Sequence, residues 1–407
     1  MQAFSIKPLL IAMTAAGTLG AATLSQAEDP IRIGGIYILS GSAATYGEFA
    51  QRGIDLAVEE INADGGILGR DIEMLYEDSQ GKASVAIQAA RKLVFSEDAD
   101  ALVGLDSSGV AQGMVPTMPS LQKPLIITHA ATPDVTGELC NPFTYRISVN
   151  VAQNMKAAAM VAAETDATNW TTIGPDYAFG YQSWEFFGDY FKEINPDVNL
   201  MEETNFPRFG AEDFTPFIDR VMDSDAEGVL ISVWGGDLVN FIRQANNRGF
   251  FDQGLELMFT VGAATEVLSA LGDEMPEGVH LSTRYWYEGY DNDQNDHFVS
   301  AYMDAYDNPP SYNAQGAYSA IYAYKQAMEA AGTTDGEAVA EALSGMSMEA
   351  ANGTVTFREG DNQAMVSPNW GVSGPMHPEH GIRTLTNLQI FEGESVARSI
   401  EETGCDL

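Results

Sequence analysis

Short apolar segments alternate with amphipathic helical segments along almost the whole chain, and this alternation limits the possible folds more than any other feature. Residues 31–39 form an apolar run typical of a buried strand. Ile54, Ala57, Val58 and Ile61 then recur at the spacing of one helical face. Alternating strands and helices predict parallel sheets covered by helices on both faces, so we expect an α/β fold.

The alternation runs twice, with a restart near residue 148. It predicts two Rossmann-like lobes with a cleft between them. The strands that we expect are residues 31–39, 72–76, 101–104, 125–128, 171–174, 198–205, 229–233, a segment after residue 278, 353–357 and 388–391.

Residues 1–27 differ in kind from the rest of the sequence. They hold one charge, Lys7, then an apolar run over residues 8–24 and the small-residue end Ser25-Gln26-Ala27. This pattern predicts a secretory signal peptide that is cleaved after Ala27. A retained membrane anchor is the alternative, but the run is rich in Ala, Gly and Thr and barely long enough to span a bilayer.

The formal charge of -38, from 58 acidic and 20 basic residues, argues against a nucleic-acid partner and against binding to anionic lipid. Because the acids are spread along the chain, they predict a uniformly acidic surface, as in proteins that work at high salt. An ordinary acidic exported protein is the alternative. The sequence holds two cysteines, Cys140 and Cys405, and export favours a disulfide between them over two free thiols.

Catalytic signatures are absent from the sequence. It contains no G-x-S-x-G, H-E-x-x-H, P-loop or G-x-G-x-x-G motif, and the pair His377 and His380 is interrupted by Pro378. We therefore expect no metal, no cofactor and no enzymatic activity. An enzyme that uses cleft carboxylates for hydrolysis stays open as an alternative, since carboxylate spacing alone does not identify a catalytic pair.

Ligands of open parallel sheets bind beyond the carboxyl ends of the strands. Two such ends carry turns of small and hydroxyl residues, at Ser107 and Ser108 after the strand 101–104, and at Ala130 and Thr132 after the strand 125–128. These turns predict an anion site, although helix capping explains each turn alone.

Aromatic side chains follow the other strand ends. Core filling is the alternative for each one taken alone, but together they predict a ligand pocket. The residues are Tyr46, Tyr177, Phe179, Trp234 and Tyr285 with Trp286.

Several short motifs match a known family in their order along the chain. They are Ile33-Gly34 to Ser40-Gly41, Tyr46-Gly47, residues 53–62, Gly65-Gly66-Ile67-Leu68-Gly69-Arg70, Val103-Gly104 with Ser107-Ser108-Gly109, Ala130-Ala131-Thr132, Phe143-Thr144-Tyr145-Arg146 and Asp213-Phe214-Thr215-Pro216. With these motifs the chain resembles the leucine/isoleucine/valine-binding family of periplasmic solute-binding proteins.

The resemblance implies a type I periplasmic binding protein fold whose lobes are joined by three hinge crossings, here near residues 148, 282 and 355. Lobe 1 would hold residues 28–148 and 282–354, and lobe 2 residues 149–281 and 355–407. It further implies a periplasmic, monomeric protein that delivers a small solute to the membrane permease of an ABC importer. A ligand-sensing receptor of the same fold is the alternative.

The resemblance also implies roles for single residues. Ser108 or Ser107, together with Ala130 and Thr132, would hold a ligand carboxylate. Tyr46, Tyr177, Phe179 and Trp234 would form an aromatic lid, and Cys140 would pair with Cys405.

One position departs from the amino-acid binders of this family. After residues 258–261 they place an acidic residue, whereas this chain has Gly262-Ala263-Ala264. Because a buried ammonium without a counter-charge is costly, we expect a ligand without an α-amino group, unless Glu266 or Asp176 supplies the charge. A branched-chain amino acid stays open as the alternative.

Overall fold

The computed structural model describes residues 1, 2 and 29–407. The predicted signal peptide and its cleavage position after Ala27 lie outside the described residues, apart from residues 1 and 2. Within the described part of the chain, no helix combines the length and the apolar character that a bilayer crossing requires.

Strands and helices alternate as the sequence predicts. The strands are β1 (Ile31–Tyr37), β2 (Ile72–Asp78), β3 (Ala101–Gly104), β4 (Leu125–Ile127), β5 (Thr144–Arg146), β6 (Asn169–Ile173), β7 (Asn199–Leu200), β8 (Gly228–Ile231), β9 (Glu256–Phe259), β10 (His280–Thr283), β11 (Ser347–Ala350), β12 (Gly353–Thr356), β13 (Asn369–Met376) and β14 (Arg383–Ile390). The helices are α1 (Ala44–Ala63), α2 (Ala83–Ser96), α3 (Ser108–Met114), α4 (Met118–Leu121), α5 (Val151–Ala162), α6 (Ala178–Ile194), α7 (Thr215–Met222), α8 (Gly235–Arg248), α9 (Thr265–Leu271), α10 (Asp293–Tyr306), α11 (Tyr312–Ala331), α12 (Gly336–Leu343), α13 (Gly393–Val396) and α14 (Ile400–Thr403).

The first sheet has the order β2-β1-β3-β4-β5, and all neighbouring strands run parallel. Its central strands β3 and β4 are buried along their whole length, as expected where helices cover both faces of a sheet. The turns that follow β3 and β4 therefore lie at the same carboxyl-terminal edge.

The second sheet has the order β14-β13-β10-β9-β8-β6-β7. Strands β6 to β10 pair in parallel, whereas β13 runs antiparallel to β10 and β14 antiparallel to β13. β11 and β12 form a separate antiparallel hairpin. The molecule thus has the predicted α/β architecture with one sheet in each lobe.

Helices α1 and α11 cross at short distance, although more than 200 residues separate them in the sequence. A Cβ atom on Gly53 would lie 2.1 Å from the backbone oxygen of Ala314, so this crossing requires glycine. The close contact attaches α11 to the first sheet.

Each sheet has its own hydrophobic core, and the core of the second sheet continues into the first lobe. Ile38, Tyr46, Ala131 and Tyr312 all belong to this extension. The lobes therefore meet at the carboxyl-terminal edge of the first sheet.

The chain passes between the sheets after β5, around β10 and before β13. The predicted crossings near residues 148, 282 and 355 fall between β5 and α5, within β10 and within β12. Side chains as far as Val366 pack in the core of the first sheet, and β13 begins at Asn369. The lobe boundaries 28–148 with 282–354 and 149–281 with 355–407 stay predictions.

A disulfide joins Cys140 to Cys405, whose Cα atoms lie 5.6 Å apart. The predicted pairing is confirmed. It holds the C-terminal helix α14 against the turn Pro133–Thr136 of the first lobe.

Candidate functional site

A buried cavity lies where the strand ends of the two sheets face each other, and we call it the cleft cavity. It leaves a free volume of about 10 Å³, which is room for about one water molecule. Its walls are Asp106, Ser108, His129 and Ala131 from the first lobe and Tyr177, Phe179, Trp234, Val261 and Arg284 from the second sheet. The lobes are therefore closed on each other in this structure.

The turn after β4 is held by the start of helix α3. The Ser108 hydroxyl oxygen accepts the backbone N–H groups of Ala131 at 3.3 Å and Thr132 at 3.1 Å. The Thr132 hydroxyl accepts the N–H of Asp134, and the N–H of Ala130 donates to the oxygen of Leu105 at 2.8 Å. The predicted turn residues are thus together, and Ser108 occupies the donors through which the turn would bind an anion.

Three of the four predicted turn residues, Ala130, Thr132 and Ser107, do not line the cleft cavity. Ala130 is buried behind Ala131, which lines the cavity, and Thr132 is fully buried. Ser107 precedes α3 in extended backbone, is 8% exposed and is also not among the lining residues.

The predicted aromatic residues form a cluster around the cavity. Tyr46 stacks on His129 with ring centroids 5.0 Å apart and meets Trp234 edge-on at 5.1 Å. The indole N–H of Trp234 donates to the Tyr177 hydroxyl at 2.8 Å. Phe209, which sequence reasoning missed, stacks on the other side of Trp234 at 5.1 Å.

Tyr285 lies away from the cavity. It stacks on Tyr290 with centroids 5.6 Å apart, and its hydroxyl donates to Asn295. Its neighbour Arg284 lines the cavity instead.

Arg284 is a buried cation that joins the lobes. It donates to the backbone oxygen of His129 and, at 3.1 Å, to the Ser148 hydroxyl. Its guanidinium lies 5.1 Å from the centre of the Tyr312 ring, and burial lowers its pKa. The side chains of Tyr312, Tyr46 and Tyr177 act in the opposite direction and raise the pKa of Arg284.

The buried carboxyl of Asp106 faces the same space. Its Oδ2 accepts the N–H of Ile38 at 2.5 Å, and its Oδ1 lies 3.5 Å from Nδ1 of His129 without alignment for a hydrogen bond. Burial raises the pKa of Asp106 to about 7. Burial, and then the nearby charge of Arg284, lower the pKa of His129 well below its ordinary value, so the imidazole is neutral.

The two acids that could have replaced the missing acidic residue lie in different places. Glu266 is buried beside the cavity, where its Oε1 accepts from Asn313 and burial raises its pKa to about 7. Asp176 instead accepts from the Tyr181 hydroxyl at the exposed surface. Asp176 therefore does not reach the cleft cavity.

Several buried polar atoms around the cavity find no hydrogen-bond partner in the described part of the chain. We call their residues the cleft cluster. They are Tyr46, Asp106, His129, Glu266 and Asn313. Because a buried polar atom without a partner costs free energy, such a concentration indicates a place for a polar ligand.

Two lobes that bury such a cluster between their strand ends define a two-lobed α/β binding protein. The family model described as "periplasmic binding protein" matches residues 30–371. The chain belongs to the periplasmic binding protein family, which confirms the resemblance found in the sequence.

Relatives of known name match over most of their length. One is a Leu/Ile/Val-binding protein homolog 6 of Brucella melitensis, 27% identical over 85% of this chain and 88% of the relative. Another is the leucine-, isoleucine-, valine-, threonine- and alanine-binding protein of Pseudomonas aeruginosa, 23% identical over 84% of this chain and 89% of the relative.

Solved structures confirm the predicted fold. A periplasmic binding protein of Burkholderia mallei covers 93% of this chain and 98% of its own, with a TM-score of 0.84 and 24% identity. An ABC-transporter solute-binding protein of Rhodopseudomonas palustris, in complex with 3,4-dihydroxybenzoic acid, covers 89% and 98%, with a TM-score of 0.80 and 22% identity.

Proposed function

We propose that this chain is the solute-binding component of an ABC importer, which closes its lobes on a small polar solute and delivers it to a membrane permease. The observation that carries the proposal is the cleft cavity, whose walls come from both lobes. Closure assembles the site, so a solute that contacts both walls stabilises the closed form.

The relatives support a small organic solute. Their names state that they bind branched-chain and other small amino acids, and the solved structure from Rhodopseudomonas palustris holds a dihydroxybenzoic acid. All of these ligands carry a carboxylate group. We propose an amino acid or a related small carboxylate or amide as the solute class.

Contacts between the lobes support closure as the working motion. The N–H of Gly236 donates to the backbone oxygen of Ser42 at 3.1 Å, and Nε2 of Gln182 donates to Asp134 at 2.9 Å. A solute that adds contacts across the same cleft shifts the balance between the open and the closed form towards the closed one. The motion would occur about the three predicted crossings.

The residues proposed to bind the solute are those that the sequence predicts, with three additions from the structure. The predicted residues are Tyr46, Ser107, Ser108, Ala130, Thr132, Tyr177, Phe179 and Trp234, without the predicted Tyr285, which lies away from the cavity, and the additions are Asp106, His129 and Arg284. The proposal includes export to the periplasm by cleavage after Ala27, a monomeric state, no chemical change of the solute and an acidic surface suited to high salt.

Substitution of Trp234 by Ala tests the site. We expect solute binding to weaken by about 100-fold, because Trp234 contacts Tyr46, Phe209 and Tyr177 around the cavity. The measurement is the shift of Tm with L-leucine, benzoate and benzamide, since a ligand that binds only the folded state raises Tm.

Trp184→Phe is the matched control, because Trp184 packs against Phe187 on α6 and does not line the cavity. It should bind like the parent. Equal binding by the parent and Trp234→Ala would refute the site, and a changed mass of the recovered solute would refute a purely binding role.

A further inference from the structure

Arg284 is a buried cation at the wall of the cleft cavity, and residues 29–407 supply no ion-pair partner for it. Its hydrogen bonds go to neutral oxygens, those of His129 and Ser148. A buried charge is strongly destabilising unless an opposite charge or strong hydrogen bonds compensate it. An anionic group that enters the cavity would supply the missing charge.

Asp106 offers a free acceptor in the same cavity. Its Oδ2 is bonded to Ile38, while its Oδ1 has no hydrogen-bond partner in the described chain. Both Asp106 and Arg284 line the cavity, and His129 lies between them, with its backbone against Arg284 and its ring towards Asp106. A solute in the cavity thus meets a cation at one side and an acceptor at the other.

A hydroxyl group suits Asp106 better than an ammonium group does. Arg284 lines the same cavity, so an ammonium group bound there would lie near a second positive charge. A hydroxyl group donates a hydrogen bond without adding a charge, and it pairs with either protonation state of the carboxyl group.

Glu266 is the acid that would offset an ammonium group if one were bound. Its Oε1 is occupied by Asn313, and the residue is not among those that line the cavity. Its Oε2 has no hydrogen-bond partner in the described chain, and its charge acts on Tyr46, Tyr312 and Asp106. Because Glu266 does not line the cavity, Asp106 is the acid placed to contact the solute directly.

On the basis of the proposed function, we infer that Arg284 binds the carboxylate of the solute and that Asp106 accepts a hydrogen bond from a hydroxyl group of the same solute. The preferred solute is then a hydroxylated carboxylic acid rather than an amino acid. Tyr177, Phe179 and Trp234 form the apolar walls beside these two polar contacts.

Calorimetric titration with matched compounds tests the inference. Leucine, 2-hydroxy-4-methylpentanoate and 4-methylpentanoate share one carbon skeleton, while 4-hydroxybenzoate, benzoate and 4-hydroxybenzamide vary the hydroxyl and the carboxylate. We expect the hydroxy acid to bind best within each set. Arg284→Gln should weaken binding of the acids by about 10- to 100-fold and leave the amide nearly unchanged.

Further variants separate the contributions. Asp106→Asn should reduce the preference for 4-hydroxybenzoate over benzoate. Arg284→Lys keeps the charge and should retain part of the preference for acid over amide, which guards against a folding defect of Arg284→Gln. Arg243→Gln removes the same charge from an exposed ion pair with Glu274 and should change nothing.

The outcomes distinguish this inference from the proposed function. If the parent binds none of the six compounds, both are refuted. A second outcome is that the parent binds, but the affinity for the acid relative to that for the amide is the same in Arg284→Gln and Arg284→Lys. This outcome refutes only the inference. Tightest binding of leucine, lost in Glu266→Gln, would also overturn the inference and retain the function.

Discussion

Two clusters of buried polar side chains lie close to the predicted crossing near residue 148, and only one of them is fully hydrogen-bonded in the described structure. The hinge cluster consists of Thr136, Arg146, Asn150 and Gln363. Oε1 of Gln363 accepts from Arg146 at 2.7 Å, from Thr136 at 3.3 Å and from Asn150 at 3.4 Å. Its Nε2 donates to the backbone oxygens of Ser148 and Ala364.

The cleft cluster is just as buried, but each of its five residues keeps a polar atom without a partner in the described structure. The two arginines show the same difference. Arg146 donates from all three guanidinium nitrogens, to Gln363, Thr132 and Thr136, whereas the two hydrogen bonds of Arg284 both come from Nη1.

The difference separates a structural role from a binding role. A fully bonded polar network fixes one geometry, and its loss leaves buried groups unsatisfied. A network with free atoms keeps hydrogen-bonding capacity for a molecule from outside, at some cost in stability. We therefore expect substitutions in the hinge cluster to reduce stability and those in the cleft cluster to change binding.

The largest effect is expected for Gln363→Leu. The substitution removes an acceptor of Arg146 and leaves that guanidinium partly unsatisfied, so the free energy of unfolding should fall by about 3 kcal/mol. Urea denaturation measures the change. Gln253→Leu is the control, because Gln253 is exposed and bonds only within its own turn. If Gln363→Leu lowers the free energy of unfolding by less than Gln253→Leu does, the hinge cluster does not stabilise the fold.

Asp106→Asn should change the pH dependence of stability. Because the pKa of Asp106 is raised to about 7 in the folded state, folding favours its protonated form, and its contribution to stability falls as pH rises from about 4 to about 7. Asparagine does not titrate, so the variant avoids this loss. From pH 5 to pH 8, the free energy of unfolding of the variant should therefore rise by about 2 kcal/mol relative to that of the parent.

Urea denaturation at several pH values checks this gain. Glu266, whose pKa is also raised to about 7, keeps its own dependence, and the titration of His129 is common to both proteins. Parallel curves for the parent and Asp106→Asn would contradict the expected protonation of Asp106.

The smallest effect is expected for Tyr46→Phe. The Tyr46 hydroxyl is buried without a partner in the described chain, so its removal should change stability by less than about 1 kcal/mol, or even increase it. The matched variant is Tyr145→Phe, which removes a hydroxyl that donates to Ala340 at 2.6 Å and should cost about 1 kcal/mol. Equal losses in Tm would show that the Tyr46 hydroxyl contributes as much to stability as a hydroxyl with a hydrogen-bond partner.

Apolar periodicity predicts the parallel core of both sheets, because strands such as β3 and β8 are buried runs between amphipathic helices. It misses β13, whose sequence contains Gly371, Gly374 and Pro375 and lacks alternation. The strand predicted over residues 198–205 is wrong in length, since only Asn199–Leu200 forms a strand beside β6, and Asn205 adds an isolated bridge to Ile173.

The sequence predicts which strand ends carry the site. Ser108 and Trp234 line the cavity because they follow β3 and β8 directly. Arg284 and Tyr285 follow the end of β10, outside the strand, and their neighbours His129, Ser148 and Asn295 come from distant parts of the chain, so the pattern does not reveal which of the two lines the cavity. Contacts over long sequence separation therefore limit what the sequence alone predicts.

The disulfide between Cys140 and Cys405 closes a covalent ring over a sequence separation of 265 residues. The ring contains the whole second sheet and α11, while β1 to β4 lie on the arm that precedes it. A single protease cut in any loop of the ring leaves one covalently joined molecule, whose pieces separate only after reduction. A cut in the arm before residue 140 leaves no covalent link between the two pieces. They therefore separate on unfolding without reduction of the disulfide.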